Sequence, residues 1–376
     1  MGNNAVVYLG ATISRFSRHP VSTFSREHPV SRSGGSHFQT QPAPGFWVWQ
    51  WPAGNLYGTT DQGGGHSVAF GPAGVVFQLT PDGTYSVLYS FCAQPGCADG
   101  RGSQASLIMD AAGNLYGTTL FGGISNCPIF GCGVVFKLAP DGTETVLYSF
   151  CPLSHCPDGS FPSGLVMDAA GNLYGTTQEG GISPFVGGGA GVVFKLAPNG
   201  TYTVRYSFCP QNGCADGSHP GAGLIIDGAG NLYGTTYQGG TNNNGVVFQL
   251  APDGTYTVLY NFCQQSNCAD GANPLAGLVI DAAGNLYGTT YQGGTSDHNA
   301  GTVFALAPDG TYTVLYSFCS VIFCFDGSFP TASLIMDAAG TLYGTTIRGG
   351  AGQSADAGTV FMVAPGAGSA NQTAGR

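Results

Sequence analysis

Charge is what this sequence has least of: Asp, Glu, Lys and Arg make up only 8% of 376 residues, against roughly a quarter in ordinary soluble domains. That excludes a surface of salt-bridged helices. The 10 basic residues face 20 acidic ones, for a net charge of −10, which argues against nucleic acid and anionic lipid as partners. Long apolar runs are missing too; none reaches the roughly 18 residues that a membrane-spanning helix needs. What is plentiful is glycine, 63 residues, with 22 prolines. So much of both borders on low complexity, but a chain that is 43% hydrophobic and 12% aromatic has ample material to bury. The composition points to a Gly-rich, aromatic-rich, all-β protein.

The little charge there is falls unevenly. Residues 1–46 hold Arg15, Arg18, Arg26 and Arg32 against Glu27, a balance of +3, so the rest of the chain carries −13. This segment also holds a short duplication, Phe16-Ser-Arg-His-Pro-Val-Ser and Phe24-Ser-Arg-Glu-His-Pro-Val-Ser, with no helical or strand period behind it. It reads as a flexible basic leader. Ala5 to Ile13 makes a poor signal sequence, because no basic residue precedes it and no small-x-small site follows.

From Gly54 onward the chain is periodic. Leu-Tyr-Gly-Thr-Thr begins at Leu56, Leu115, Leu173, Leu232, Leu286 and Leu342, which makes six copies of a unit of 54–59 residues. Residues 105–150 show its order: an apolar run, an Asp-Ala-Ala-Gly-Asn turn, LYGTT, a variable Gly-rich loop, GVVFKLA, a Pro-Asp-Gly-Thr turn and ETVLYSF. Val75, Phe77 and Leu79 alternate with Val76, Gln78 and Thr80, and Tyr85, Val87, Tyr89 and Phe91 with Thr84, Ser86, Leu88 and Ser90, the period of a β-strand. Pro fixes φ and Gly supplies positive φ in the turns between them. Four antiparallel strands per unit, six times over, predict a six-bladed β-propeller across residues 47–363 with a flexible tail at 364–376. An open solenoid of hairpins is the alternative. The first unit starts on the aberrant strand Trp47-Val-Trp-Gln-Trp51, and the last stops at Gly358-Thr-Val-Phe-Met-Val363 without a fourth strand. Ala5 to Leu9 is the candidate to close that blade; otherwise the blade keeps three strands.

The repeat, close to DAAGNLYGTTxxGGxxxxGVVFKLAPDGTxTVLYSF, resembles the GloVer tandem-repeat family over residues 54–363. The resemblance implies an exported or surface bacterial protein, with a varying C-terminal anchor and no established reaction. Here residues 366–376 carry no apolar tail or sorting motif, which argues against tethering but not against export.

All twelve cysteines fall in pairs with four residues between partners: Cys92/Cys97, Cys127/Cys132, Cys151/Cys156, Cys209/Cys214, Cys263/Cys268 and Cys319/Cys324. No Cys-x2-Cys spacing suggests zinc, and we expect neither metal nor cofactor. Five pairs follow the fourth strand and precede Asp-Gly, the sixth lies in the variable loop of the second unit, and all six read as local disulfide staples. Each closes a ring worth about 2 kcal/mol on the chain-entropy account. Disulfides place the protein in the periplasm or outside the cell.

The two tight turns of each unit share one face of the propeller. The opposite face gathers the cysteine loops and the loops after LYGTT, and is the expected binding face. There Tyr237 and Tyr291 are candidates to stack on a sugar ring, with His66, Phe121, Arg348 and Asn243 beside them. Catalysis needs a cluster of unlike groups. Glu179, Asp297 and His298 are the weak candidates, Glu179 and Asp297 as a carboxylate pair acting on a glycoside. Glu144 and Arg205 break the repeat in fourth strands and are expected to face solvent. The aspartates Asp110, Asp168, Asp227, Asp281 and Asp337, and Asp99, Asp158, Asp216, Asp270 and Asp326, read as turn caps rather than calcium ligands. The expected function is a monomeric, exported, non-enzymatic propeller that binds glycan or protein. A polysaccharide hydrolase or lyase and a purely structural array are the alternatives.

Overall fold

The computed structural model describes residues 39–40, 46–50, 54–68, 71–124, 131–184, 186, 188–350 and 358–364. In the second unit Ile108–Met109, Leu115–Thr119, Val134–Leu138 and Glu144–Ser149 form one antiparallel sheet in that spatial order. The order recurs in blades three, four and five, and the whole is a six-bladed β-propeller. Helix is confined to three 3-10 turns of three residues among the described residues, and no helix there is long and apolar enough to cross a membrane.

The repeated aspartates explain why the turns are so uniform. Asp110 Oδ1 accepts the amides of Ala112 and Asn114, both at 2.9 Å, while Oδ2 accepts Asn114 Nδ2 at 2.7 Å and the Tyr116 hydroxyl at 3.0 Å. One carboxylate therefore ties the turn to the tyrosine of LYGTT, and this recurs in blades three to five. The glycine of LYGTT has a different cause. A Cβ on Gly288 would lie 2.7 Å from Phe304 Cζ and 2.9 Å from Leu278 Cδ2, so no side chain fits.

Third strands depart from the alternation read in the sequence. Val134, Val135 and Phe136 are all fully buried, as are Val192, Val193 and Phe194. Blades two to five are each covered on both faces by their neighbours, so inward and outward residues alike are withdrawn from water. The core is accordingly a series of layers between consecutive blades, in which Phe91 meets Phe136 edge-on at 5.1 Å and Phe150 meets Phe194 at 5.3 Å. Near the axis the first strands almost touch: a Cβ on Gly164 would lie 3.4 Å from Gly223 Cα, and the Gly277 amide donates to Ser333 Oγ at 3.0 Å.

A second layer of contacts runs along the fourth strands. Tyr202 stacks on Tyr148 of the preceding blade at 4.0 Å and donates its hydroxyl to the Asp158 carbonyl. Tyr256 and Tyr312 do the same with Tyr206 and Tyr260, and with the carbonyls of Asp216 and Asp270. In blade two this position is Glu144, which does not face solvent as its sequence context suggested. Both its carboxyl oxygens are buried without a hydrogen bond, and burial, reinforced by the charge of Asp99, pushes its carboxyl up to about 7. The register puts it in the seam between blades one and two, and there the repeat overrides polarity. Arg205 does not stand free in solvent as expected either: it is half-buried, and its guanidinium donates to the Pro252 carbonyl at 2.6 Å.

Five of the expected disulfides are present, Cys92–Cys97, Cys151–Cys156, Cys209–Cys214, Cys263–Cys268 and Cys319–Cys324. Cys132 is also disulfide-bonded, and its expected partner Cys127 lies outside the described residues. The aspartate behind each staple does more than cap a turn. Asp99 accepts the Tyr89 hydroxyl and the Ala93 amide, both at 2.8 Å, locking the loop to the fourth strand.

Blades one and six are irregular. In blade one Phe46–Gln50 pairs with Leu56–Thr60, as the aberrant tryptophan strand predicts, and Gln39–Thr40 adds a short strand beyond it. Blade six has its first strand in two pieces, Ser328–Pro330 and Ile335–Met336, then Leu342–Arg348 and Thr359–Val363. No fourth strand follows among the described residues. Ala5 to Leu9, the segment expected to fill the position, lies outside them.

Candidate functional site

The variable loops share a face because the chain ties them together there. The amides of Gly123, Gly181, Gly240, Gly294 and Gly350 each donate to a cysteine-loop carbonyl, those of Cys97, Cys156, Cys214, Cys268 and Cys324. Just inside these loops, where the first strands begin, Asp-Gly-Ser-x-Pro or a close variant places x in the left-handed region. The occupants are Phe161, His219, Asn273 and Phe329, with φ of 58°, 55°, 54° and 58°. Such φ values are strained for bulky side chains, by about 1–3 kcal/mol each, and persist only where the surroundings over-determine them. Here the amide donates to a loop of the preceding blade: Phe161 to the Cys132 carbonyl at 2.9 Å, His219 to that of Ala190 and Phe329 to that of Ala300, both at 2.8 Å. The repeat thus builds one rim of equivalent positions and fills it with unlike groups.

Phe121 approaches Phe161 edge-on at 5.8 Å. His219 has Nδ1 buried without a partner, and burial holds the ring below its usual value, opposed by the charge of Glu179. It is therefore a neutral donor and acceptor at physiological pH. Asn273 donates Nδ2 to the Tyr237 carbonyl at 2.9 Å.

Phe329 also lines a cleft. A cleft of about 250 Å³ between blades five and six is lined by His298, Ala300, Phe323, Cys324, Ser328, Phe329, Arg348 and Gly349. Tyr291 lies 5.1 Å from the Phe329 ring, and the Arg348 guanidinium sits 5.7 Å over its centroid, within cation–π range. At the tip of the neighbouring staple Phe323 is 75% exposed, beside exposed Val321, Ile322 and Phe325.

Of the residues singled out in the sequence, His298 and Arg348 thus line one cleft, Tyr291 packs against its Phe329, and Asp297 stands exposed next to His298. Others stand apart. Glu179 is exposed in blade three, near His219, with blade four between it and Asp297. His66 is exposed in blade one. Asn243, at φ 57°, turns its own loop and accepts the Gly239 amide at 3.0 Å. The sulfurs of Cys132, Cys151 and Cys156 lie within 4.8 Å of one another, but all three belong to disulfides. The sequence reading passed over Phe161, Asn273, Phe323 and Phe329. The available signal was a variable letter before proline in Asp-Gly-Ser/Ala-x-Pro, at Phe161, His219, Asn273 and Phe329.

The profile of the Gloeobacter/Verrucomicrobia repeat matches residues 16–220 and, a second time, 188–374. No curated protein matches the chain. Among solved structures, a luciferin-regenerating enzyme is similar with a TM-score of 0.51 at 13% identity, over 89% of this chain and 96% of that one. A gluconolactonase from Xanthomonas campestris gives 0.46 at 14%, over 88% and 98%, and a putative gluconolactonase 0.43 at 15%, over 77% and 80%. At such identities the first of these likenesses is one of fold alone.

Proposed function

The chain belongs to the Gloeobacter/Verrucomicrobia repeat family, and from that premise we propose that it is an exported binding propeller that holds a saccharide on its loop face. The observation that carries this reading is the cleft between blades five and six. Aromatic rings at Phe323 and Phe329, the latter backed by Tyr291, offer platforms for the apolar face of a sugar, and His298 and Arg348 supply donors for its hydroxyls. A few convergent polar groups in an apolar cleft is the usual form of a small-ligand site. Binding rather than bond cleavage is favoured by the separation of the carboxylates: Glu179 is in blade three and Asp297 in blade five, which leaves Asp297 without its expected partner beside the cleft. Export rests on the five stapled loops, which need an oxidising compartment to form.

A glycan array with the native chain and with Phe329→Ala tests this. Retained binding by native protein, lost about tenfold or more in the variant with an unchanged melting temperature, is the expected result. Release of new reducing ends from any polysaccharide panel member would instead make the protein an enzyme. Silence on the array with capture of a protein ligand would move the reading to protein recognition.

A further inference from the structure

Among the described residues, the outer edge of blade six and one face of blade one each lack the same neighbour. Val360 in the third strand of blade six is 71% exposed, whereas the matching Val76, Val135, Val193, Val247 and Val303 are fully buried. Each of those five valines is followed by a fourth strand, and Val135, Val193, Val247 and Val303 sit directly opposite its tyrosine: Tyr148, Tyr206, Tyr260 and Tyr316. Met362, on the same edge, is 54% exposed. Across the seam, Tyr85 of blade one is 54% exposed and Val87 49%. Its counterparts Tyr202, Tyr256 and Tyr312 are covered by the fourth-strand tyrosine of the blade before. An unpaired strand edge and an uncovered aromatic seat, on consecutive blades, describe the outline of one absent strand.

We propose that this strand-acceptor site is filled by the chain's own Ala5–Leu9, which lies outside the described residues. Fourth strands carry Val-x-Tyr at Val87-Leu-Tyr89, Val146-Leu-Tyr148, Val204-Arg-Tyr206, Val258-Leu-Tyr260 and Val314-Leu-Tyr316. The sequence contains this spacing once more, at Val6-Val7-Tyr8. Its place in the chain is also right: every fourth strand precedes the first strand of the following blade, and Ala5–Leu9 precedes Phe46–Gln50, the first strand of blade one. The 36 residues between Leu9 and Phe46 replace a short cysteine loop, and loop-closure entropy grows only slowly with such length. In the register of the other blades Tyr8 stands opposite Val360 and Val6 opposite Phe361. Tyr8 then lies on Tyr85 as Tyr148 lies on Tyr202. Ladder hydrogen bonds to the edge supply affinity, and the tyrosine seat supplies specificity, the logic of strand addition.

The same register puts Leu9 opposite Thr359, as Ser149 stands opposite Val134. Full-length protein carrying Leu9→Cys with Thr359→Cys, oxidised at low concentration, should form a disulfide between the two introduced thiols within one chain, read by non-reducing peptide mapping. In the native chain the amides of residues 6–8 should exchange at least tenfold more slowly than unstructured peptide, and Tyr8→Ala should remove the protection without unfolding blades two to five. The same bridge formed between two chains would assign the site to a second copy instead. Exchange at the unstructured rate through residues 6–8, with no bridge, would overturn the proposal.

Discussion

Glu144 is a carboxylic acid in a phenol's place, and its energetics follow from that. Three other blades fill the position with a tyrosine that stacks on its neighbour and reaches an aspartate carbonyl. We expect Glu144→Tyr to stabilise the protein by about 1–2 kcal/mol, an aromatic pair plus a hydrogen bond, seen as a rise of several degrees in melting temperature. The pH dependence has a definite sign. The folded carboxyl, at about 7, lies above the unfolded value near 4.5, so between these limits the folded state holds more protons. Stability from this group is complete below pH 4.5 and declines as pH rises toward 7. The turn aspartates, whose partial burial is outweighed by hydrogen bonds that hold them below the ordinary value of 3.8, act in the opposite direction: their contribution is present above that value and is lost as pH falls below it. Comparing Glu144→Gln with native protein isolates the first effect: the variant should lack the decline between pH 4.5 and 7, and identical pH profiles would refute the burial of Glu144. Gly288 belongs to the same scale. With Phe304 and Leu278 under 3 Å from where a Cβ would stand, Gly288→Ala should cost about 1–3 kcal/mol through overpacking, measured by denaturant titration.

At the scale of elements, the stapled loop combines a disulfide with an aspartate that grips the fourth strand. Asp270 is fully buried and accepts the Tyr260 hydroxyl at 2.8 Å and two loop amides. The bridge and the carboxylate hold the same loop, so they should not contribute equally. Replacing Cys263 and Cys268 together by serine removes a six-residue ring worth about 2 kcal/mol at most. Asp270→Ala strands a buried hydroxyl and two amides, each costing about 1–3 kcal/mol, and should lower the melting point further than the double serine variant. The reverse ranking would mean that the disulfides hold the fold rather than the loop. Where strands four and one join, the rim residues show how a repeat can acquire chemistry. Its backbone is over-determined by hydrogen bonds to the preceding blade, so the side chain at x is free to vary from Phe to His to Asn.

At the scale of the whole molecule, architecture was legible from period and turn chemistry, because each unit repeats the same local rules six times. Leu-Tyr-Gly-Thr-Thr located every second strand, Asp-x-x-Gly-Asn the hairpin before it, and the cysteine spacing the staples. The count of fourth strands singled out blade six, which none follows among the described residues. These features are local in sequence, set by φ preferences, side-chain period and short disulfide rings, and need no knowledge of neighbours. What lies between blades is different. That the third strands of blades two to five are buried on both faces, that the Glu144 carboxyl is withdrawn from water, and that His298, Arg348, Phe323 and Phe329 converge on one cleft all depend on contacts between blades. Periodicity assigns a residue to a face of its own sheet. Only the stacking of blade on blade determines whether that face meets water, an aromatic ring or a charge, and that decided which of the candidate residues share a cleft.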